Sequence, residues 1–323
     1  MFQVFVDSAA NIPAEIVKKY GIHVISFVNH INGEDIVNFD INLNQEEERE
    51  KGKQYYEAVR RGARVKTSLI NTADFIAHFT PVLEAGEDIM YFSLSKNISG
   101  TYNAACLAAE ELKEQFPERK LRLVDSLNAS LAQGILAIYA TEMRNSGMEF
   151  EMIGDILDRQ VPRMNGIFTV GDLKYLSNTG RISKTTASVG NILNIKPILR
   201  GNRDGYIVEF KKCRGRKKSL DTLVELVCDN IENPEDQIIG IAHADAYEES
   251  LYVMEEIQKR IKVREFINTS YDYCTGSHVG PDTIALFLWL PTGNWAEETD
   301  IDRILRFHLF CFKIHLKSIF IIY

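Results

Sequence analysis

The chain has 323 residues, 45% of them apolar and 25% charged, and a formal net charge of −8. That length exceeds one typical core and suits two, the composition is that of an ordinary globular protein, and the acidic balance argues against a nucleic-acid partner, which would need a basic surface. Its five cysteines form no CxxC pair and have no histidine at zinc spacing, so we expect no metal and no cofactor, and a reducing, cytoplasmic compartment.

The opening segment, "FQVFVDSAANIPAEIVKKYGIHVISFVNHI", reads as strand, turn, helix, strand. Charge and a turn arrive too early for the apolar core of a signal peptide. Asn11 is a candidate helix cap with Pro13 in the first turn, and Gly21 a candidate stop. The stretch "HVISFVNHI" reads as one strand. Residues 44–62 suit a helix that is acidic first and basic last. "VKTS" is a polar loop before a helix. "DIMYFSLS" is a buried strand that runs into "SKNISGTYNAA" and a further helix. "KLRLVDSLNAS" is a strand ending at Asp125 and Ser126, and another helix follows. This alternation implies a parallel sheet covered on both faces, with ligands bound beyond the carboxyl ends of its strands. Asp7, Ser8, Ser93, Ser95, Asp125 and Ser126 should therefore share one rim.

A second unit is expected from about residue 162. "NGIFTVGDLKYLSNTGRIS" suggests strand, short helix and a Gly-Arg turn, and a helix is expected near 187–193. "GNRDG" joins two strands as a hairpin, which requires antiparallel pairing. Helices and strands then alternate until "GSHVGPDTIALFLWL", where the pattern stops.

Four features suggest chemistry. The loop from Ser93 to Thr101 brings Ser95, Asn97, Ser99, Gly100 and Thr101 to a helix N-terminus, with Thr67 and Ser68 on a neighbouring loop. One helix cap needs one such residue, so several together suit an anion. No GxxxxGK[ST] supports a nucleotide triphosphate loop. Arg181 follows a glycine at a tight turn. "KKCRGRKKS" gathers six basic residues, which suit a solvated face, an acidic partner or a phosphorylated ligand. His278 sits among small residues that permit close approach of a ligand.

The segments "VDSAANIP", "VKTS", "SLSKNISGTYNAA", "VDS", "YLSNTGRIS" and "GSHVGPDTIAL", in that order, resemble the DegV family across residues 2–290. The resemblance implies two three-layer α/β/α domains, the first with a parallel sheet and the second with a mixed sheet, holding a long-chain fatty acid between them. It implies a non-enzymatic carrier that presents the fatty acid to a kinase subunit for acyl-phosphate formation. It further implies that Thr67 and Ser95 bind the carboxylate with His278 close by, that Ser68, Ser99, Gly100 and Thr101 belong to the fatty-acid-binding set, and that Arg181 and Arg214 face the kinase or orient the head group. Lys96, Asp282 and the residues after Thr67 and Ser68 depart from the family pattern. The expected domains are 1–162 and 163–290, with an atypical extension at 291–323. That extension reads as an added helix or an altered reading frame, and its sharper alternative is a transient membrane-surface contact. A rival function is an acyl hydrolase or transferase using Ser95 and His278, with Asp7 or Asp125 as orienting carboxylate. Another is a phosphosugar-binding regulator using the basic run.

Overall fold

The computed structural model describes residues 1–182 and 194–291. The helix expected near 187–193 and the extension beyond 291 lie outside the described residues. The first sheet is built from β1 (Phe2–Asp7), β2 (His23–Ile25), β6 (Asp88–Ser93) and β7 (Leu121–Asp125), in the order β2-β1-β6-β7 and all parallel. Between them lie α1 (Ala14–Tyr20), α2 (Gln45–Arg60), α3 (Thr72–Glu84) and α4 (Thr101–Gln115). α5 (Leu131–Asn145) and α6 (Phe150–Gln160) follow β7.

Two local expectations change. Pro13 rather than Asn11 precedes α1. Asn11 takes a left-handed conformation (φ 53°) and its side chain lies 2.8 Å from Ser130 Oγ, so it is not placed to cap. "HVISFVNHI" is two strands, because Ser26 Oγ accepts from the Asn38 and Phe39 amides at 3.1 and 3.2 Å and turns the chain out of the first sheet. The second piece, β3 (Val28–Ile31), pairs antiparallel with β4 (Glu34–Val37) and β5 (Val65–Thr67) in a small sheet of its own.

The second large sheet is mixed. It contains β8 (Met164–Thr169), β9 (Ile195–Gly201), β10 (Ile207–Arg214), β11 (Ile238–His243), β12 (Glu265–Ser270) and β13 (Ile284–Trp289), ordered β10-β9-β8-β13-β11-β12. Only β11 and β12 pair in parallel. Its helices are α7 (Lys174–Asn178), α8 (Arg216–Asn230), α9 (Tyr247–Gln258) and α10 (Tyr273–Val279).

Strand alternation sorts the core into layers. Phe5, Ile89 and Tyr91 pack toward α3 and α4, whereas Val4, Val6, Met90 and Phe92 face α5. In the mixed sheet, Ile167, Ile198, Ile284 and Leu286 face α8 and α9, and Phe168, Leu199, Ala285 and Phe287 face back toward α5. α5 is thus the layer common to both sheets, which explains why eleven of its fifteen residues are buried. Each large apolar side chain so buried contributes roughly 1.5–3 kcal/mol. The approach is close: a Cβ on Gly240 of β11 would lie 2.9 Å from Leu131 Cβ. The two α/β units are therefore joined through one core, and their facing rims enclose the space described next.

Candidate functional site

In the parallel sheet, β1 is flanked by β2 on one side and β6 on the other. Connections leave in opposite directions from such a point, and a crevice opens at the carboxyl ends of the strands. Asp7 and Ser8 end β1, and Ser93 to Ser95 end β6. Most of their polar atoms are already occupied. Asp7 is fully buried and accepts from Tyr91 Oη at 2.7 Å, Gln133 Nε2 at 2.8 Å and the Ala9 amide at 3.0 Å. Burial nonetheless pushes its carboxyl up to about 7. Ser8 Oγ accepts from the Phe27 amide at 3.0 Å and fixes the entry to β3.

The serine loop is similarly self-bonded. The Ser95 amide donates to Asn128 O at 2.7 Å, Ser95 Oγ accepts from the Asn97 amide at 3.2 Å, and Ser95 O accepts from the Ile98 and Ser99 amides. Ser99 Oγ lies 3.0 Å from Thr101 Oγ1 and accepts from the Thr101 amide. These bonds make the tight turn that presents the first turn of α4. Lys96, the departure noted above, stands 3.9 Å from Asp125 on the surface.

A cavity of about 240 Å³ opens between the two units. Its polar wall combines Thr67 and Ser68 at the end of β5, Ser99 and Gly100 at the start of α4, Arg181, and Thr275 and His278 of α10. The remaining wall is largely apolar, with Phe27, Leu94, Phe168, Leu176, Ile207 and Phe287 among its residues. Thr67 Oγ1 is 3.3 Å from His278 Nε2, with the tautomer deciding which donates. Ser68 Oγ is 3.1 Å from His30 Nε2. Among the described residues Arg181 bonds to backbone carbonyls, through Nε to Ile98 O at 3.2 Å and through Nη1 to Thr179 O, and forms no ion pair. His278 Nδ1 is enclosed without a partner among the described residues. Desolvation, helped by the Arg181 charge, lowers the imidazole to about 4, so the ring is neutral near pH 7.

α10 holds its place because Asp272 caps it, accepting from the Thr275 and Cys274 amides at 2.9 and 3.3 Å and from Asn38 Nδ2 at 3.2 Å. Desolvation raises the Asp272 carboxyl to about 6. Tyr55 and Tyr56 of α2 donate to Tyr273 O and Tyr271 O at 2.9 and 3.3 Å, which clamps the start of α10 from the other side. A neutral ring, a guanidinium without a counter-ion among the described residues, several hydroxyls and an apolar chamber together suit a molecule with one anionic end and a long apolar body.

Of the residues singled out from sequence, Thr67, Ser68, Ser99, Gly100, Arg181 and His278 line this one cavity. Ser95 and Thr101 are fully buried behind the loop and do not line it. Arg214 is exposed at the end of β10, away from the lining. In the basic run, Lys212, Arg216, Lys217 and Lys218 each pair with an acidic side chain, so it is not a bare cationic patch. A Ser95–His278 nucleophile pair is not assembled: His278 bonds Thr67, Ser95 bonds Asn97, and Asp125 accepts from the Leu127 amide at 2.9 Å. Sequence reading missed the walls, namely Tyr271, Asn128 and the hairpin residues Gly201, Gly205 and Ile207. The GNRDG turn marks the hairpin, but nothing in it marks contact with the serine loop, where Asn97 Nδ2 donates to Asp204 O at 2.6 Å.

A family model described as "Uncharacterised protein, DegV family" matches residues 1–290. A DegV domain-containing protein of Clostridium perfringens is 35% identical over 287 residues, which cover 88% of this chain and 96% of that protein. Among solved structures, a DegV lipid-binding protein of Thermotoga maritima aligns with a TM-score of 0.77 and 27% identity over 90% of this chain and 99% of that one. DegV of Bacillus subtilis, described as a fatty acid binding protein, aligns with a TM-score of 0.76 and 27% identity over the same shares.

Proposed function

The chain belongs to the DegV family, and from that premise we propose that it is a carrier of a long-chain fatty acid. The observation that carries the proposal is the cavity itself: hydroxyls, a neutral imidazole and Arg181 gathered on one wall of an otherwise apolar chamber. In this reading the carboxylate accepts from Thr67, Ser68 or Ser99 hydroxyls, the Gly100 end of α4 and the Arg181 guanidinium. Charged hydrogen bonds of this kind contribute about 1.5–3 kcal/mol each. The hydrocarbon lies against the apolar wall, and each buried methylene adds roughly 0.8 kcal/mol before ordering costs. Ser95 and Thr101 hold the loop in shape.

In this reading the carboxylate stays chemically intact, and among the described residues the Ser95–His278 pair a hydrolase would need is not assembled, since His278 bonds Thr67 and Ser95 bonds Asn97. A carrier of this design needs a separate enzyme to act on the head group, and we assign that role to a cytoplasmic fatty acid kinase subunit. The exposed Arg214 suits a contact with such a partner. Native mass spectrometry of the bacterially expressed full chain tests the reading. We expect a co-purifying fatty acid of one-to-one stoichiometry. A lipid-free protein that also fails to take up palmitate or oleate would refute it.

A further inference from the structure

We propose that Ser68, His30 and Asp35 form a nucleophile, base and orienting carboxylate at the edge of the cavity, and that the protein hydrolyses long-chain acyl esters whose acid it then retains; the seat of the acyl chain rests on the fatty-acid reading above. Thr67 and Ser68 are neighbours in sequence, both line the cavity, and each meets a different histidine. Thr67 Oγ1 faces His278, whose other ring nitrogen has no partner among the described residues. Ser68 Oγ is 3.1 Å from His30 Nε2, and the far side of that ring is closed by Asp35, whose Oδ1 bonds Nδ1. Of the two pairs, the second has the third group that a serine nucleophile requires.

Local structure builds this row. Asn32 and Gly33 both take positive φ, 53° and 97°, in the two-residue turn between β3 and β4. That turn sets the register, so that His30 stands opposite Asp35. Side chains so placed start about 5 Å apart. On its other side β3 pairs with β5, Asn29 opposite Thr67, and the Ser68 amide extends the ladder by donating to Val28 O at 3.4 Å. Ser68 thereby leaves the strand beside His30. An ionised carboxylate only accepts, so Nδ1 carries the proton and Nε2 offers its lone pair to the Ser68 hydroxyl.

An acyl ester seated with its chain along the apolar wall turns its carbonyl oxygen toward Thr67 and Arg181. Ser68 Oγ bonds to the carbonyl carbon as its proton passes to His30 Nε2. The carbonyl electron pair moves to oxygen, where the Thr67 hydroxyl and the Arg181 charge stabilise it. The bond to the leaving alcohol then breaks, and His30 gives the proton to that oxygen. Water adds to the Ser68 ester with His30 again taking a proton, and Ser68 leaves with that proton. The acid remains in the chamber as a carboxylate, its own proton lost to solvent. Ser68 and Asp35 are exposed, so the alcohol departs without crossing the core.

The test uses full-length, delipidated protein with the p-nitrophenyl esters of palmitate and acetate. We expect turnover, with kcat/KM about tenfold or more higher for the palmitate ester, whose chain the cavity buries. His30→Ala should lower kcat by about 10²- to 10⁴-fold, the range of a general base, and Ser68→Ala by a similar factor. Asp35→Asn should lower kcat and leave KM unchanged, because Asp35 is a positioning residue that acts through His30. A fluorophosphonate probe should label the peptide that carries Ser68. Should a variant not melt cooperatively, the probe on wild type decides alone. Wild type that takes up palmitate yet neither turns over its ester nor takes the probe at Ser68 overturns the triad, as does full turnover in Ser68→Ala. Equal kcat/KM for the two esters places the chemistry outside the chamber and overturns the proposal as well. Wild type that takes up no palmitate overturns the carrier reading instead.

Discussion

The serine loop and the α10 wall of the cavity are made from the same small polar and basic residue types, yet their polar atoms do opposite things. In the loop, Ser95, Ser99 and Thr101 satisfy one another or neighbouring amides. At the α10 wall, His278 keeps an unpartnered nitrogen and Arg181 has no counter-ion among the described residues. The loop's hydroxyls brace its turn while Ser99 and Gly100 also line the cavity, and the His278–Arg181 wall keeps a ring nitrogen and a guanidinium without counter-groups among the described residues. Residue type alone cannot separate these roles, because what matters is which partners the fold brings to each group.

The difference can be tested by removing one group from each side. The largest effect is expected for Arg181→Ala. It should weaken palmitate binding about 10- to 100-fold, the equivalent of about 1.5–3 kcal/mol, and leave binding of the uncharged hexadecanol nearly unchanged. Equal losses for acid and alcohol would mean that the guanidinium holds the fold and not the head group. Ser95→Ala comes next. Losing one loop-internal bond should cost about 1 kcal/mol of stability in chemical denaturation, while palmitate affinity stays within about twofold; a large drop in affinity at full stability would move Ser95 into the binding set.

A further effect is on a pH slope. The His278 ring is lowered to about 4 in the folded chain from an ordinary 6.5. Between those values the unfolded chain binds more protons, so this group removes stability as pH falls from 6.5 toward 4. Asp7 and Asp272, raised to about 7 and about 6, act in the opposite sense, losing stability as pH rises above their ordinary 3.8. Comparing His278→Asn with wild type isolates the histidine: the variant should lose less stability between pH 7 and pH 5. Identical slopes would show that the ring is not desolvated.

Much of this was legible in the chain. The strand–helix alternation gives the parallel sheet because helices of an α/β crossover leave a strong periodic trace, and the hairpin was marked by GNRDG. The short β4 and β5 left no trace, since three or four residues such as Val65 to Thr67 carry no period. The division of "HVISFVNHI" was hidden because a single serine hydroxyl, Ser26, turns the chain by bonding amides twelve and thirteen residues away. The shared role of α5 was equally hidden: its apolar faces are evident, but their two partners are set by tertiary packing. In the site, Thr67 and His278 could be suspected separately. That they meet across 211 residues of sequence, and that Asn128 and the hairpin join the same wall, depends on strand register that no local pattern encodes.

The most direct measurement is the structure of the chain with oleate bound. The account predicts a carboxylate within hydrogen-bonding distance of Thr67 and Arg181, with the hydrocarbon running along the apolar wall of Phe168, Leu176 and Phe287. An oleate seated the other way round, or held outside the chamber with Arg181 and His278 still unoccupied, would contradict it.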